Sequence, residues 1–84
     1  MKRQFHLAYN ALKKIGVPVY VRDDMGGRFQ INAEHPDSYK WADYYAYNRE
    51  DWEFGVNPAV DQALKKYGLY SEWINPGELG VYEL

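Results

Sequence analysis

Two stretches of this chain close in nearly the same way, and they constrain its fold more than any other feature. Residues 11–16 read ALKKIG and residues 63–68 read ALKKYG, identical at five of six positions, and each precedes two alternating segments separated by a turn. Lysines near a helix end suit the negative pole of its dipole, and a following glycine can take the left-handed conformation that closes the last turn. The order is therefore α, β, β and again α, β, β. Shared helix-end chemistry also produces such a match, so the pattern is compatible with an αββ duplication without requiring one.

In the first unit Phe5, Ala8, Tyr9, Leu12 and Ile15 recur at spacings of three and four, which predicts an amphipathic helix. Val17, Val19 and Val21 alternate with Pro18, Tyr20 and Arg22, and Phe29 and Ile31 alternate with Arg28, Gln30 and Asn32. That pattern predicts a hairpin turning through Asp23, Asp24, Met25, Gly26 and Gly27. Pro18 has no amide hydrogen to give to a neighbour, so the first strand lies at an edge or begins there.

In the second unit Asn57 can cap a helix, Pro58 fits its first position, and Val60, Ala63, Leu64 and Tyr67 form its apolar stripe. Asp61 falls near the positive pole of that helix, and Lys65 and Lys66 near the negative one. Residues 69–74 and 79–84 then form a second hairpin around Asn75, Pro76, Gly77 and Glu78, where the Pro-Gly pair predicts a type II turn. Each hairpin has one apolar face to cover. The expected fold is α+β, an antiparallel sheet of four or five strands with two helices on one face, in the order α-β-β-(β)-α-β-β.

Eighty-four residues suffice for one domain spanning 1–84. The absence of cysteine excludes a disulfide framework and thiolate metal sites, so packing alone must supply stability. Apolar runs are too short to span a membrane, and Met1, Lys2 and Arg3 lead into Gln4 and His6 instead of an apolar signal; a cytoplasmic location is expected. The formal charge of −2 lacks the basic excess that drives phosphate binding, which disfavours nucleic acid as a partner.

Charge is nonetheless polarised. Residues 1–32 carry six bases and two acids, whereas residues 33–61 carry two bases (Lys40, Arg49) and seven acids. The acidic section also holds Tyr39, Trp41, Tyr44, Tyr45, Tyr47, Trp52 and Phe54, seven of the chain's fifteen aromatics. Periodicity leaves residues 39–47 open between strand and helix, and β-propensity favours a third strand around 41–47. Fully burying fifteen aromatics would need on the order of 2,000–4,000 Å² of interior. A domain this small hides only about 60 per cent of its unfolded surface, so some rings are expected to stay exposed. Small domains also use Tyr and Trp as bulky core and boundary residues, and that alternative remains open.

Reaction chemistry is sparse. His6 and His35 lie far apart and show no metal-binding spacing, Asp23 with Asp24 and Glu50 with Asp51 suit solvated turns, and Ser38 and Ser71 have no nearby histidine. Gly26 and Gly27 lack the helix and lysine of a phosphate loop. No catalytic, cofactor or metal site is predicted; a small enzyme using His35 with an acid is the least favoured alternative.

Over about residues 3–67 the opening order α, β, β, β, α, with ALKK ahead of a hairpin, is similar in layout to double-stranded RNA-binding domains and to small HicA-type toxins. The HicA pattern wants Gly-Ser-His on its hairpin where this chain has Gly26, Gly27 and Arg28, so no catalytic histidine carries over. The RNA-binding pattern wants a basic start to its second helix where this chain has Asn57 and Asp61.

The expected function is that of a non-enzymatic protein-binding module. Tyr39, Trp41, Tyr44, Tyr45, Tyr47 and Trp52 supply contact, and Asp43, Glu50, Asp51 and Glu53 steer a basic, Arg- or Lys-rich protein surface towards them. Its concrete form is a phage or mobile-element accessory inhibitor of nucleic-acid-binding host defence machinery, of anti-CRISPR or anti-restriction type, because carboxylates can occupy Arg and Lys sites built for phosphates. The alternative is a single-stranded nucleic-acid or RNA binder that stacks bases on its rings, with Lys13, Lys14, Arg22 and Arg28 for phosphate. Self-association as a homodimer stays open.

Overall fold

A computed structural model describes residues 1–22, 27–46, 49 and 51–84 of the chain. Its elements are helix α1 (Arg3–Lys14), strands β1 (Val19–Arg22) and β2 (Arg28–Asn32), a 3-10 helix at Ser38–Lys40, helix α2 (Pro58–Lys66), and strands β3 (Leu69–Asn75) and β4 (Glu78–Glu83). The strands form one antiparallel sheet in the order β1-β2-β4-β3. This order reads the same from either αββ unit: the second strand of each hairpin is central and the first is at an edge. Both helices end alike, with Gly16 at φ +97° and Gly68 at φ +73°, and their amides donate to the carbonyls of Lys13 and Lys65.

Alternation sorts the sheet into two faces. Phe29, Ile31, Leu79, Val81 and Leu69 point to one side, where they pack with Phe5, Ala8 and Leu12 of α1 and Val60 and Leu64 of α2 in a single apolar core. Phe29 lies at its centre, edge-on to Phe5 and Tyr9 at ring separations of 6.3 and 5.5 Å. The other side carries Tyr20, Arg22, Arg28, Gln30, Gly80, Tyr82, Tyr70 and Glu72, and no described helix covers it.

Several expectations need correction. No fifth strand forms across residues 41–46; Tyr47, at the end of that span, lies outside the described residues. The backbone there folds against residues 53–57 instead, through isolated pairings of Ala42 and Glu53 with Val56. The Pro76-Gly77 turn is not type II, because Gly77 lacks positive φ; its amide donates to Asn75 Oδ1 at 2.9 Å, and a Cβ at Gly77 would run into the Glu34 side chain. Ile15 is 46 per cent exposed and stands outside the α1 stripe, because the chain leaves the helix there to reach Gly16. Asp23, Asp24, Met25 and Gly26 lie outside the described residues.

Candidate functional site

The described residues of the aromatic, acidic segment are stitched to α2 and β3. Ser38 anchors its start by donating from Oγ to the Ala33 carbonyl and accepting from the amides of Trp41 and Ala42. Asn57 anchors its end: the side-chain oxygen accepts from Ala59 N–H as the cap of α2, Nδ2 donates to the Lys40 carbonyl at 2.9 Å, and its own amide donates to the Trp41 carbonyl at 2.8 Å. Between them the Asp43 amide donates to the Gly55 carbonyl at 2.8 Å. These bonds satisfy the backbone that a third strand would have offered to the sheet.

Held in this way, the rings separate by role. Trp41 is partly buried against the core. Tyr44 is partly buried and stands edge-on to both Tyr45 and Trp73, at 5.2 and 5.4 Å. Tyr39 and Tyr45 are exposed, at 55 and 72 per cent. Trp52 is partly buried and lies under the Arg49 guanidinium at 4.2 Å, and Lys40 sits over Tyr39 at 5.7 Å. Asp51 and Glu53 are exposed; Asp43 is partly buried and accepts from the Tyr45 amide. Tyr47 and Glu50 lie outside the described residues.

The topology brings in residues that sequence reasoning did not connect. Phe54 is 79 per cent exposed, yet its backbone is left-handed at φ +54°, a conformation bulky side chains adopt at a cost of roughly 1–2 kcal/mol. It is fixed there by Trp73 of β3, whose Nε1 donates to the Phe54 carbonyl at 2.7 Å, and by the adjoining Val56-to-Glu53 and Asp43-to-Gly55 bonds. Gly55, also left-handed, is required by close approach as well, since a Cβ would strike the Asp43 carbonyl.

Beneath this tip lies a cavity of about 660 Å³ between α2, β3 and residues 53–56, within the roughly 300–1,000 Å³ typical of ligand pockets. Val56, Leu69, Leu79 and Trp73 form its apolar wall, and Glu53, Asp61, Glu72 and Lys65 are its charged lining, Asp61 and Lys65 one turn apart on α2. Asp61 accepts from Ser71 Oγ at 3.3 Å. Burial pushes its carboxyl above the ordinary range; the Ser71 bond opposes that rise and the nearby Glu53 charge adds to it. Asp61 stands in the first turn of α2, near the positive pole as its position predicts, and β3 packs against α2 there and partly covers it.

A second cavity, of about 420 Å³, is lined by Tyr20, Asn32, Glu34, His35, Gly77 and Glu78 among others. His35 is exposed there and accepts from the Asp37 amide through Nδ1, while Glu78 is held by Arg22 at 3.0 Å. His6 lies on the outer face of α1 beside Asn10. Among the described residues no group of His, Asp and Glu is arranged to hold a metal ion, and no helix is long and apolar enough to cross a membrane. The chain matches no family model, no curated protein and no solved structure.

Proposed function

We propose that the protein is a non-enzymatic binding module that docks a basic protein surface on its acidic, aromatic loop. The observation that carries this reading is Phe54, an exposed ring on strained backbone that is tied to Trp73 and follows the exposed carboxylates of Asp51 and Glu53 in the chain. Strain of this kind persists only where surrounding bonds over-determine it, and it concentrates at binding sites. Tyr39, Tyr45 and Phe54 offer stiff rings of the type that dominates binding hot spots, and Asp43, Asp51 and Glu53 supply the complementary charge. Inhibition of a nucleic-acid-binding defence protein, by placing carboxylates in its phosphate sites, is the concrete form of this proposal.

The test immobilises the wild-type protein, Tyr45→Ala, Phe54→Ala and Glu53→Lys, and compares what each retains from a host extract and what DNA then displaces. Loss of a retained, DNA-displaceable protein in all three variants with unchanged melting is expected. Equal retention by Glu53→Lys overturns the reading.

A second reading has its own observation. On the uncovered sheet face Arg28 stacks over Tyr82 at 5.5 Å, Tyr82 lies against Tyr70 at 5.7 Å, and Gln30, 1 per cent exposed, accepts from Tyr20 and Arg22. Rings interleaved with arginines can stack unpaired bases. A salt titration of oligonucleotide binding decides: affinity that falls steeply with added salt supports it, and no binding at low salt removes it.

A further inference from the structure

The two edges of the sheet are unlike. β1 has four residues, follows Pro18, and offers little to pair with. β3, its counterpart in the palindromic order, has seven residues and contains neither Pro nor Lys, the residues that usually guard an exposed edge. Among the described residues no strand covers its outer side. The ladder fixes which groups face outward. Leu84 N–H donates to the Gly68 carbonyl, which makes Gly68 and Leu84 a hydrogen-bonded pair. Such pairs alternate along an antiparallel ladder, so Tyr70 with Tyr82 and Glu72 with Gly80 use their backbone groups inward, and Leu69, Ser71 and Trp73 turn theirs to the open edge.

We infer that this edge is a strand-addition site, taking an extended basic segment of a partner protein that pairs with Ser71 and seats an apolar side chain in the cavity behind β3, a mode of docking that rests on the basic-partner reading above. Main-chain pairing supplies affinity in such complexes, and pockets for alternate side chains supply specificity. Both parts are present here. Ser71, whose N–H and C=O turn outward, lines the 660 Å³ cavity, whose wall is apolar at Val56, Leu69 and Leu79. The charge is complementary to a basic strand, with Glu53, Asp61 and Glu72 against Lys65 alone. Phe54 and Tyr70, both exposed, also line it. The same charges argue against a second copy: antiparallel pairing of two β3 strands across their centres would bring Glu72 and its acidic neighbours into opposition, and like charges facing one another across strands are destabilising.

The experiment follows amide hydrogen exchange of the whole chain with a short peptide alternating arginine and valine, and with its glutamate and valine counterpart. The arginine peptide is expected to slow exchange at Ser71 by at least about tenfold, with little change at Tyr70 and Glu72, whose amides are already paired. Ser71→Pro removes the outward donor without touching the β3–β4 ladder and should abolish binding, whereas Ser71→Ala should retain it. Ser71 exchange unchanged at saturating arginine peptide overturns strand addition, whether or not Ser71→Pro folds. If the peptide binds under those conditions, a basic partner still stands; if the glutamate peptide protects Ser71 equally, strand addition stands and the basic-partner reading falls. Protection of Ser71 that grows with protein concentration in the absence of peptide assigns the edge to a second copy and overturns the proposal.

Discussion

The indole of Trp73 in β3 donates its only hydrogen to the Phe54 carbonyl, 2.7 Å away and nineteen residues earlier in the chain. That bond ties the acidic loop to the sheet and sets the angle at which Phe54 meets solvent. Trp73→Phe keeps an aromatic ring beside Tyr44 but removes both the donor and one ring of a side chain packed on the core, so stability should fall by at least about 1 kcal/mol in urea titration. Exchange of the Asp43 and Val56 amides should quicken, because the Phe54 carbonyl is then unanchored. Unaltered exchange at both would show that the loop holds its shape without the sheet.

Phe54 and Gly55 separate strain from necessity. Phe54→Asn places a residue that tolerates left-handed backbone where the ring buries little, so stability should rise by up to about 1 kcal/mol while docking is lost. Gly55→Ala should cost more than about 1 kcal/mol, since the new methyl meets the Asp43 carbonyl and the backbone must shift. Thermal melts of the two variants should therefore move in opposite directions.

Core and surface rings should respond differently to truncation. Phe29→Ala opens a cavity at the centre of the core and should cost about 3–5 kcal/mol. Tyr45→Ala loses an exposed ring and its edge contact with Tyr44, and should cost less than about 1 kcal/mol. A loss at Tyr45 approaching that at Phe29, measured by chemical denaturation, would show that Tyr45 is structural.

Asp61 links stability to pH. Its carboxyl is raised in the folded protein, chiefly by burial, so between its unfolded and folded pKa values the folded state binds the extra proton. The stabilisation is complete below the unfolded pKa and is lost as pH rises through the folded one. Asp61→Asn keeps an acceptor for Ser71 and removes a charge from the cavity that Glu53, Glu72 and Lys65 also line. At neutral pH the variant should be at least as stable as wild type, and its stability should change less with pH across that acidic window. Parallel pH profiles for the two proteins would contradict the assignment.

Element by element, much of this architecture is legible in the sequence. Apolar spacing located α1 and α2, alternation located the four strands, and Asn57 caps α2 as its position before Pro58 predicts. The rings of residues 39–54 were visible as a concentration, but their arrangement was not. Tyr and Trp favour strands, yet Ser38 and Asn57 take up the backbone groups of Trp41, Ala42 and Lys40 and close the segment on itself. Those partners are side chains and distant carbonyls, to which a local propensity is blind. Asp61 stands in the first turn of α2 as its position predicts, but its partial burial is not legible for the same reason, since Ser71, its partner, belongs to a strand that follows α2 and folds back on it.

What the sequence determined by itself is therefore local: where helices begin and stop, which side of each strand is apolar, and that acids and aromatics crowd one stretch. Those properties arise from neighbours within a few residues, and a period of two or 3.6 records them. Only the tertiary structure decided that β2 and β4 meet at the centre, placing β3 at an edge of the sheet, and that Trp73, Phe54 and Asp61 border one cavity. Strand alternation specifies a face but not a neighbour, so the choice of partner rests on packing the whole core at once.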